Sequence, residues 1–355
     1  MEPHPGGAPL LGLHRTSLQD PTINVGQTSL KLSELGEHEA VKRLIEEILA
    51  GQWRCPSLGP GDDAACVGGG FQNLILKIDG GSLASLWAPW MEPADIGWQA
   101  VAAAASDLVA KGAKPLAFAV SLGLDPGEDI ETLKGIVRGA AEAAQAHGAW
   151  LLGGDTNSCS NCGWIDVAAV GLAEKPVGLQ ASPGDTVYVT TGRIGLAGLV
   201  LDSLAKGRWR EAMEAYPRAF SEFARPRARL EFVELAGTGC ITAATDSSDG
   251  LAYSLGKIAE AAHALVELEN IPVEPEALRY AEEYGVDPLE LALYGGQEYE
   301  VIFAVRGGCE KLVEERAATL GLAVARIGRL REGPQGITYR GRTLSVRGWD
   351  NFKNM

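Results

Sequence analysis

Apolar residues along this chain recur in two rhythms, and the switches between them outline a mixed α/β protein. Val41, Leu44, Ile45, Ile48 and Leu49 follow the i, i+3, i+4 spacing of a helical face, and Gly51 stops the run. A short apolar strand follows at 74–78, then an Ala-rich helix over 96–111 that carries Ser106 and Asp107 in otherwise apolar company. Next come a strand at 117–122, a long helix over 129–147 ended by Gly148, and a second strand at 150–152. That strand is apolar at every position, so it reads as buried on both faces, and it runs into Gly153-Gly154-Asp155-Thr156. A strand at 165–172 completes a first domain near residue 174.

The second half opens with the turn Pro183-Gly184-Asp185 and a strand at 186–190. Thr191-Gly192 then starts a helix reaching about Leu204, and the charged stretch 205–227 reads as an irregular surface excursion. A strand at 241–245 feeds Asp246-Ser247-Ser248-Asp249-Gly250 and a helix. Helices at 276–284 and 309–319 alternate with strands at 299–305 and 323–327. Residues 1–28 hold Pro, Gly and Thr without periodicity and are expected to form a disordered extension. The pattern predicts an α+β (mixed α/β) protein in two domains, 29–174 and 175–355, as a length of 355 residues favours.

Composition narrows the partners. A formal charge of −15 opposes nucleic-acid binding, which needs clustered Lys and Arg, but it leaves ATP open if cations stand between carboxylates and phosphates. No stretch is apolar enough to span a bilayer and no secretory signal opens the chain, so the expected location is cytoplasmic. The six cysteines are too sparse for a disulfide scaffold. Cys159 and Cys162 form a C-x-x-C pair without a second pair to complete a zinc site, and they read as two thiols in a loop. Cys66 and Cys240 stand in apolar surroundings and read as core.

The chemistry concentrates in aspartates. Gly61-Asp62-Asp63, Gly153-Gly154-Asp155 and Asp246-Ser247-Ser248-Asp249-Gly250 repeat one layout, and Asp79 and Asp107 add carboxylates within apolar runs. Magnesium binds through oxygen, with one or two carboxylates per ion plus phosphate oxygens, so such a set suits several ions around a polyphosphate. The neighbouring glycines allow backbone N–H groups close to phosphate. Each Asp could instead cap a helix or close a turn. No G-x-x-x-x-G-K-[ST] occurs, and aspartates inside Gly59-Pro60-Gly61-Asp62-Asp63-Ala64 would repel a bare pyrophosphate.

In order, Gly-Asp-Asp-Ala-Ala (61–65), Ser-Asp-Leu-Val-Ala-Lys-Gly-Ala (106–113), Gly-Gly-Asp-Thr (153–156), Asp-Ser-Ser-Asp-Gly-Leu (246–251), Gly-Gly-Gln-Glu-Tyr-Glu (295–300) and Gly-Trp-Asp-Asn-Phe (348–352) resemble the thiamine-monophosphate kinase family. That family lies within the aminoimidazole ribonucleotide synthetase-like superfamily. The resemblance implies ATP and thiamine monophosphate as substrates, magnesium as cofactor, and a homodimer whose N-terminal sheets pair into a barrel. It implies Asp63, Asp79, Asp107, Asp155, Asp246 and Asp249 as metal ligands. Gly154, Asp155 and Ser248 would bind the nucleotide, and Gln297 and Trp349 the acceptor. No side chain is implied as a catalytic acid, base or nucleophile.

The chain departs from the family around the acceptor. Gly80-Gly81-Ser82-Leu83-Ala84-Ser85 replaces a stretch that usually carries a His, and Lys77 and Ile78 stand where hydroxyl residues are usual. Gln297 and Glu298 replace a Glu-Asp pair, and Gly178 takes the place of an Arg. Lys77 or Lys111 could supply the lost positive charge, although Lys111 also reads as a solvated helix end. The alternatives are a kinase for a different small phosphorylated acceptor and a non-catalytic nucleotide-binding homologue.

Overall fold

The computed structural model of the chain describes residues 73–348, together with Glu39, Lys42 and residues 64–66. Two sheets organise it. The first contains β1 (Ala65–Cys66), β2 (Asn73–Ser82), β3 (Lys114–Leu124), β4 (Trp150–Ser158) and β5 (Trp164–Ala173), in the order β1-β2-β5-β3-β4. Neighbours are antiparallel except β3 and β4, and that parallel pair is joined through the helix α3 (Ile130–Ala146), as a parallel connection requires. A short helix α1 (Leu83–Leu86) and the long helix α2 (Pro93–Ala110) connect β2 to β3.

Helix α2 joins the two halves. Pro93 fits its first turn, and Glu92 and Asp95 form a capping box that satisfies backbone N–H groups there. Every residue from Ile96 to Ala110 except Ala103 is buried, because the helix packs against β2 and β5 on one side and the second sheet on the other. Small side chains make this possible. A Cβ on Gly97 would lie 1.8 Å from the Ile136 carbonyl oxygen, and one on Gly139 would lie 1.7 Å from that of Ala94, so α2 and α3 meet backbone to backbone.

The second sheet runs β12-β11-β8-β10-β6-β9-β7. Its strands are β6 (Thr186–Thr190), β7 (Ile241–Asp246), β8 (Leu265–Leu268), β9 (Val301–Val305), β10 (Val324–Arg331), β11 (Gly336–Tyr339) and β12 (Arg342–Leu344). β6 and β9 are buried along their whole length, which explains the unbroken apolar sequence of β9 and the apolar centre of β6 between Thr186 and Thr190. Helices α4 (Leu196–Ala205), α5 (Trp209–Ala215), α6 (Pro217–Ala224), α7 (Glu231–Ala236), α8 (Leu251–Ala261), α9 (Pro275–Tyr284), α10 (Pro288–Tyr294) and α11 (Glu310–Leu320) complete the chain. Among the described residues no helix is long and apolar enough to cross a membrane.

Several expectations are corrected. The stretch 205–227 is not a surface excursion: it forms α5 and α6, with Phe220 and Phe223 in the core and the Phe220 ring 4.8 Å from that of Trp90. The strand at 150–152 is not buried on both faces. It begins the edge strand β4, where Trp150 and Leu152 are 74% and 75% exposed. The helix expected from Thr191-Gly192 starts only at Leu196, because Gly192 and Gly195 both adopt positive φ and hold the chain in a turn. The cysteine pairs are joined rather than free: Cys159 with Cys162, and Cys240 with Cys309, their Cα atoms 5.3 and 5.9 Å apart. Cys240 is buried as expected.

Candidate active site

The site lies where α2, the inner face of β2 and two loops of the second sheet meet. β7 ends in Asp246, and the chain turns through Ser247, Ser248, Asp249 and Gly250 into α8. Helix α8 begins at Gly250 with no side-chain cap, so neither aspartate acts as its N-cap. Instead Asp246 Oδ1 accepts from Ser248 Oγ at 2.7 Å and from the Ser248 N–H at 3.2 Å.

The segment 295–300 is laced to this turn. Gln297 N–H donates to Ser248 O at 2.7 Å, Ser247 N–H donates to Glu300 O at 2.9 Å, and Glu300 N–H donates to Ser247 Oγ at 3.0 Å. The contact is close: a Cβ on Gly296 would stand 2.8 Å from Ser248 O. Gln297 and Tyr299 hold φ of 53° and 52°, a left-handed conformation uncommon for residues other than glycine. Such backbone persists only where its surroundings fix it. Here the Glu300 carboxylate does so: it accepts from Arg193 Nε at 3.1 Å and Arg229 Nε at 2.7 Å, and also from Thr190.

Four of the expected metal ligands act electrostatically on one residue, Tyr299. The buried Tyr299 phenol is held well above the ordinary tyrosine range, first by burial and then by the charges of Asp79, Asp246, Asp107 and Asp249. Lys77 shares this space: its Nζ lies 2.6 Å from the Asp107 carboxylate and 3.7 Å from that of Asp79. Lys111 is not a solvated helix end. It is fully buried, and its Nζ donates to the Ala244 carbonyl on β7.

Asp155 stands apart from this group. β4 pairs Asp155 with Ser121, and Ser121 also pairs with Asp166 of β5, which places the three in one row across the sheet. Asp79 and Gly154 are linked in register through Val167 and Val120, three strand spacings or about 14 Å apart. Gly154 and Asp155 are exposed. Asp63 and Trp349 lie outside the described residues. Gln297 faces α2, its Oε1 accepting from Gln99 Nε2 at 3.1 Å.

The donors suit magnesium in kind: hard carboxylate and hydroxyl oxygens, with the buried Ser106 Oγ lacking a hydrogen-bond partner among the described residues. Among the described residues no group of three or more His, Cys, Asp or Glu side chains is arranged to hold a metal ion. Arg193, Arg229 and Gln99 are supports of the site that the sequence alone does not single out. Arg229 is hidden in a charged stretch that looks solvated, and Gln99 in a helix that reads as apolar.

The chain matches the model of the AIR synthase related protein N-terminal domain over residues 61–173 and that of its C-terminal domain over 182–340. It is 33% identical to the thiamine-monophosphate kinase of Pyrobaculum calidifontis over 303 residues, 85% of this chain and 94% of that protein. Its fold is similar to that of tt0281 from Thermus thermophilus (36% identity, TM-score 0.82, covering 89% of this chain and all of that one). It is also similar to AaThiL complexed with AMPPCP and TMP (26% identity, TM-score 0.80, covering 92% of this chain and all of that one).

Proposed function

The chain belongs to the AIR synthase related family and, within it, to the thiamine-monophosphate kinases, and from that premise we propose that it transfers the γ-phosphoryl group of ATP to thiamine monophosphate. The P–O bond to the γ-phosphorus breaks as one forms to a phosphate oxygen of the acceptor, and ADP leaves with the bonding electron pair. The observation that carries this reading is the pair Asp79 and Asp107 meeting at Lys77 beneath α2, with Asp246 held by Ser248 in the turn to which the segment 295–300 is bonded.

Because the acceptor oxygen is already ionised near neutral pH, no side chain need remove a proton, and positioning supplies most of the rate. Asp246 and Asp249, with Asp155 and Asp63, would hold magnesium, while Asp79 and Asp107 bring charge to the same seam. Magnesium, when bound, offsets repulsion between the phosphates and aligns attacking and leaving oxygens. Ser248 and Gly154 would orient the nucleotide, and Gln297, braced by Gln99, and Trp349 the acceptor.

We infer a homodimer from the outer face of the first sheet. Leu74, Leu76 and Ile78 alternate outward along β2, and Trp150 and Leu152 extend the apolar surface along β4. A second copy would cover this face, and it supports the expected barrel.

The test is to incubate the purified protein with Mg-ATP and thiamine monophosphate and assay thiamine diphosphate. Stoichiometric product with ADP is expected. ADP release without diphosphate, or nucleotide binding without turnover, would defeat the assignment.

A further inference from the structure

β2 alternates strictly, so Lys77 and Asp79 project from its inner face while Leu76 and Ile78 point outward. Helix α2 lies over that inner face and presents Asp107 between them. The resulting triad is compact: one ammonium lies 2.6 Å from one carboxylate and 3.7 Å from another, with the lysine side chain 20% exposed and that of Asp107 6% exposed. A metal ion bonded to both carboxylates would need the place that Nζ holds. An ammonium and a divalent cation repel strongly in such a partly desolvated space.

We propose that the Lys77 ammonium is a built-in cation that holds the Asp79–Asp107 pair in place of one metal ion, leaving the magnesium requirement to the remaining carboxylates, Asp246 and Asp249 among them. This rests on the kinase reading and alters its metal set. Lys77 supplies one positive charge where a divalent ion would supply two, and it cannot exchange with solvent. It meets the Asp107 carboxylate at hydrogen-bond distance and the Asp79 carboxylate as an ion pair at 3.7 Å, rather than at the roughly 2.0–2.1 Å of magnesium ligation. The pair then keeps a fixed spacing whether or not nucleotide is bound. Buried Lys111, one helical turn beyond Asp107, ties the same end of α2 to β7 and keeps the triad in register with the Asp246 turn.

The experiment counts Mn2+ bound to the full chain by electron paramagnetic resonance, with and without AMPPCP. Lys77→Met and the smaller Lys77→Ser should each bind one more Mn2+ than the wild type, or bind at least tenfold more tightly, whereas Lys77→Arg should match the wild type. Asp107→Asn, made in the otherwise wild-type chain, should leave the Mn2+ count unchanged. Equal counts and affinities in the wild type and both uncharged variants would overturn the proposal, as would loss of one Mn2+ in Asp107→Asn. If the wild type binds no Mn2+ even with AMPPCP while the uncharged variants gain a site, the metal-dependent kinase reading fails and the role of Lys77 stands.

Discussion

Glu298 and Glu300 stand two residues apart, both buried, with carboxyls driven in opposite directions. Burial, reinforced by the charge of Glu300, holds Glu298 well above the ordinary range. Burial also works to raise Glu300, but the guanidinium groups of Arg193 and Arg229 outweigh it and bring that carboxyl below its usual value. Their effects on stability therefore oppose each other. A raised group contributes stability below about pH 4.5 that is lost as pH rises, whereas a lowered one contributes stability above pH 4.5 that is lost on acidification.

Glu298→Gln should raise the melting temperature at neutral pH, with the gain vanishing below pH 4.5. Glu300→Gln should do the reverse, destabilising by about 3–5 kcal/mol at neutral pH because two guanidinium groups lose a buried partner. Melting curves of both variants across pH check the sign. Parallel curves would show that neither carboxyl is shifted.

Asp246→Asn and Asp249→Asn should each lower thiamine diphosphate formation by about a hundredfold or more, as loss of a charge-stabilising group in a phosphoryl-transfer site does. The fold should survive, since neither side chain caps α8. Wild-type turnover in either variant, measured with Mg-ATP, would remove that residue from the metal set.

Ile78→Asp should convert the dimer to monomer in light scattering coupled to gel filtration. Ile78 is 67% exposed on the outer face of β2, and a carboxylate there would be left unpaired under a second copy. An unchanged mass would place the dimer contact elsewhere.

The Cys240–Cys309 bond spans 69 residues and ties the start of β7 to the N-cap of α11. Replacing both residues by Ala should cost about 2–4 kcal/mol in denaturant melts, and reductant should shift the wild type equally. The Cys159–Cys162 bond, with a sequence separation of 3, should add much less. A thiol titration showing all six cysteines reactive in the unfolded, unreduced chain would rule out both bonds.

The parts of the site that sequence reveals are those set by neighbours along the chain. A buried strand that ends in Asp and then turns into a helix marks 246–250 directly, and Gly-Gly-Asp-Thr at 153–156 stands out by its residue types although it lies within the edge strand β4. Helix α2 is equally legible, since a run of alanine around a single Asp is hard to explain as surface. What escaped depends on contacts between distant elements. The apolar run Trp150-Leu151-Leu152 looks the same whether its outer face meets a helix or a second subunit. Trp209, Phe220 and Phe223 are separated by charges, and their grouping becomes visible only once Trp90 is folded against them. The partner of Lys77 lies thirty positions away on another element, which spacing alone cannot supply.

β2 carries two duties at a period of two, with Lys77 and Asp79 on one side and Leu76 and Ile78 on the other. Substitution at any one position changes one duty and leaves the other intact. A one-residue insertion or deletion within 74–79 would exchange the two sets, turning charge onto the apolar face and leucine and isoleucine into the seam. A change of length is therefore disruptive within this strand and harmless to its two faces in the loops at either end of its pairing with β5, where it reverses nothing.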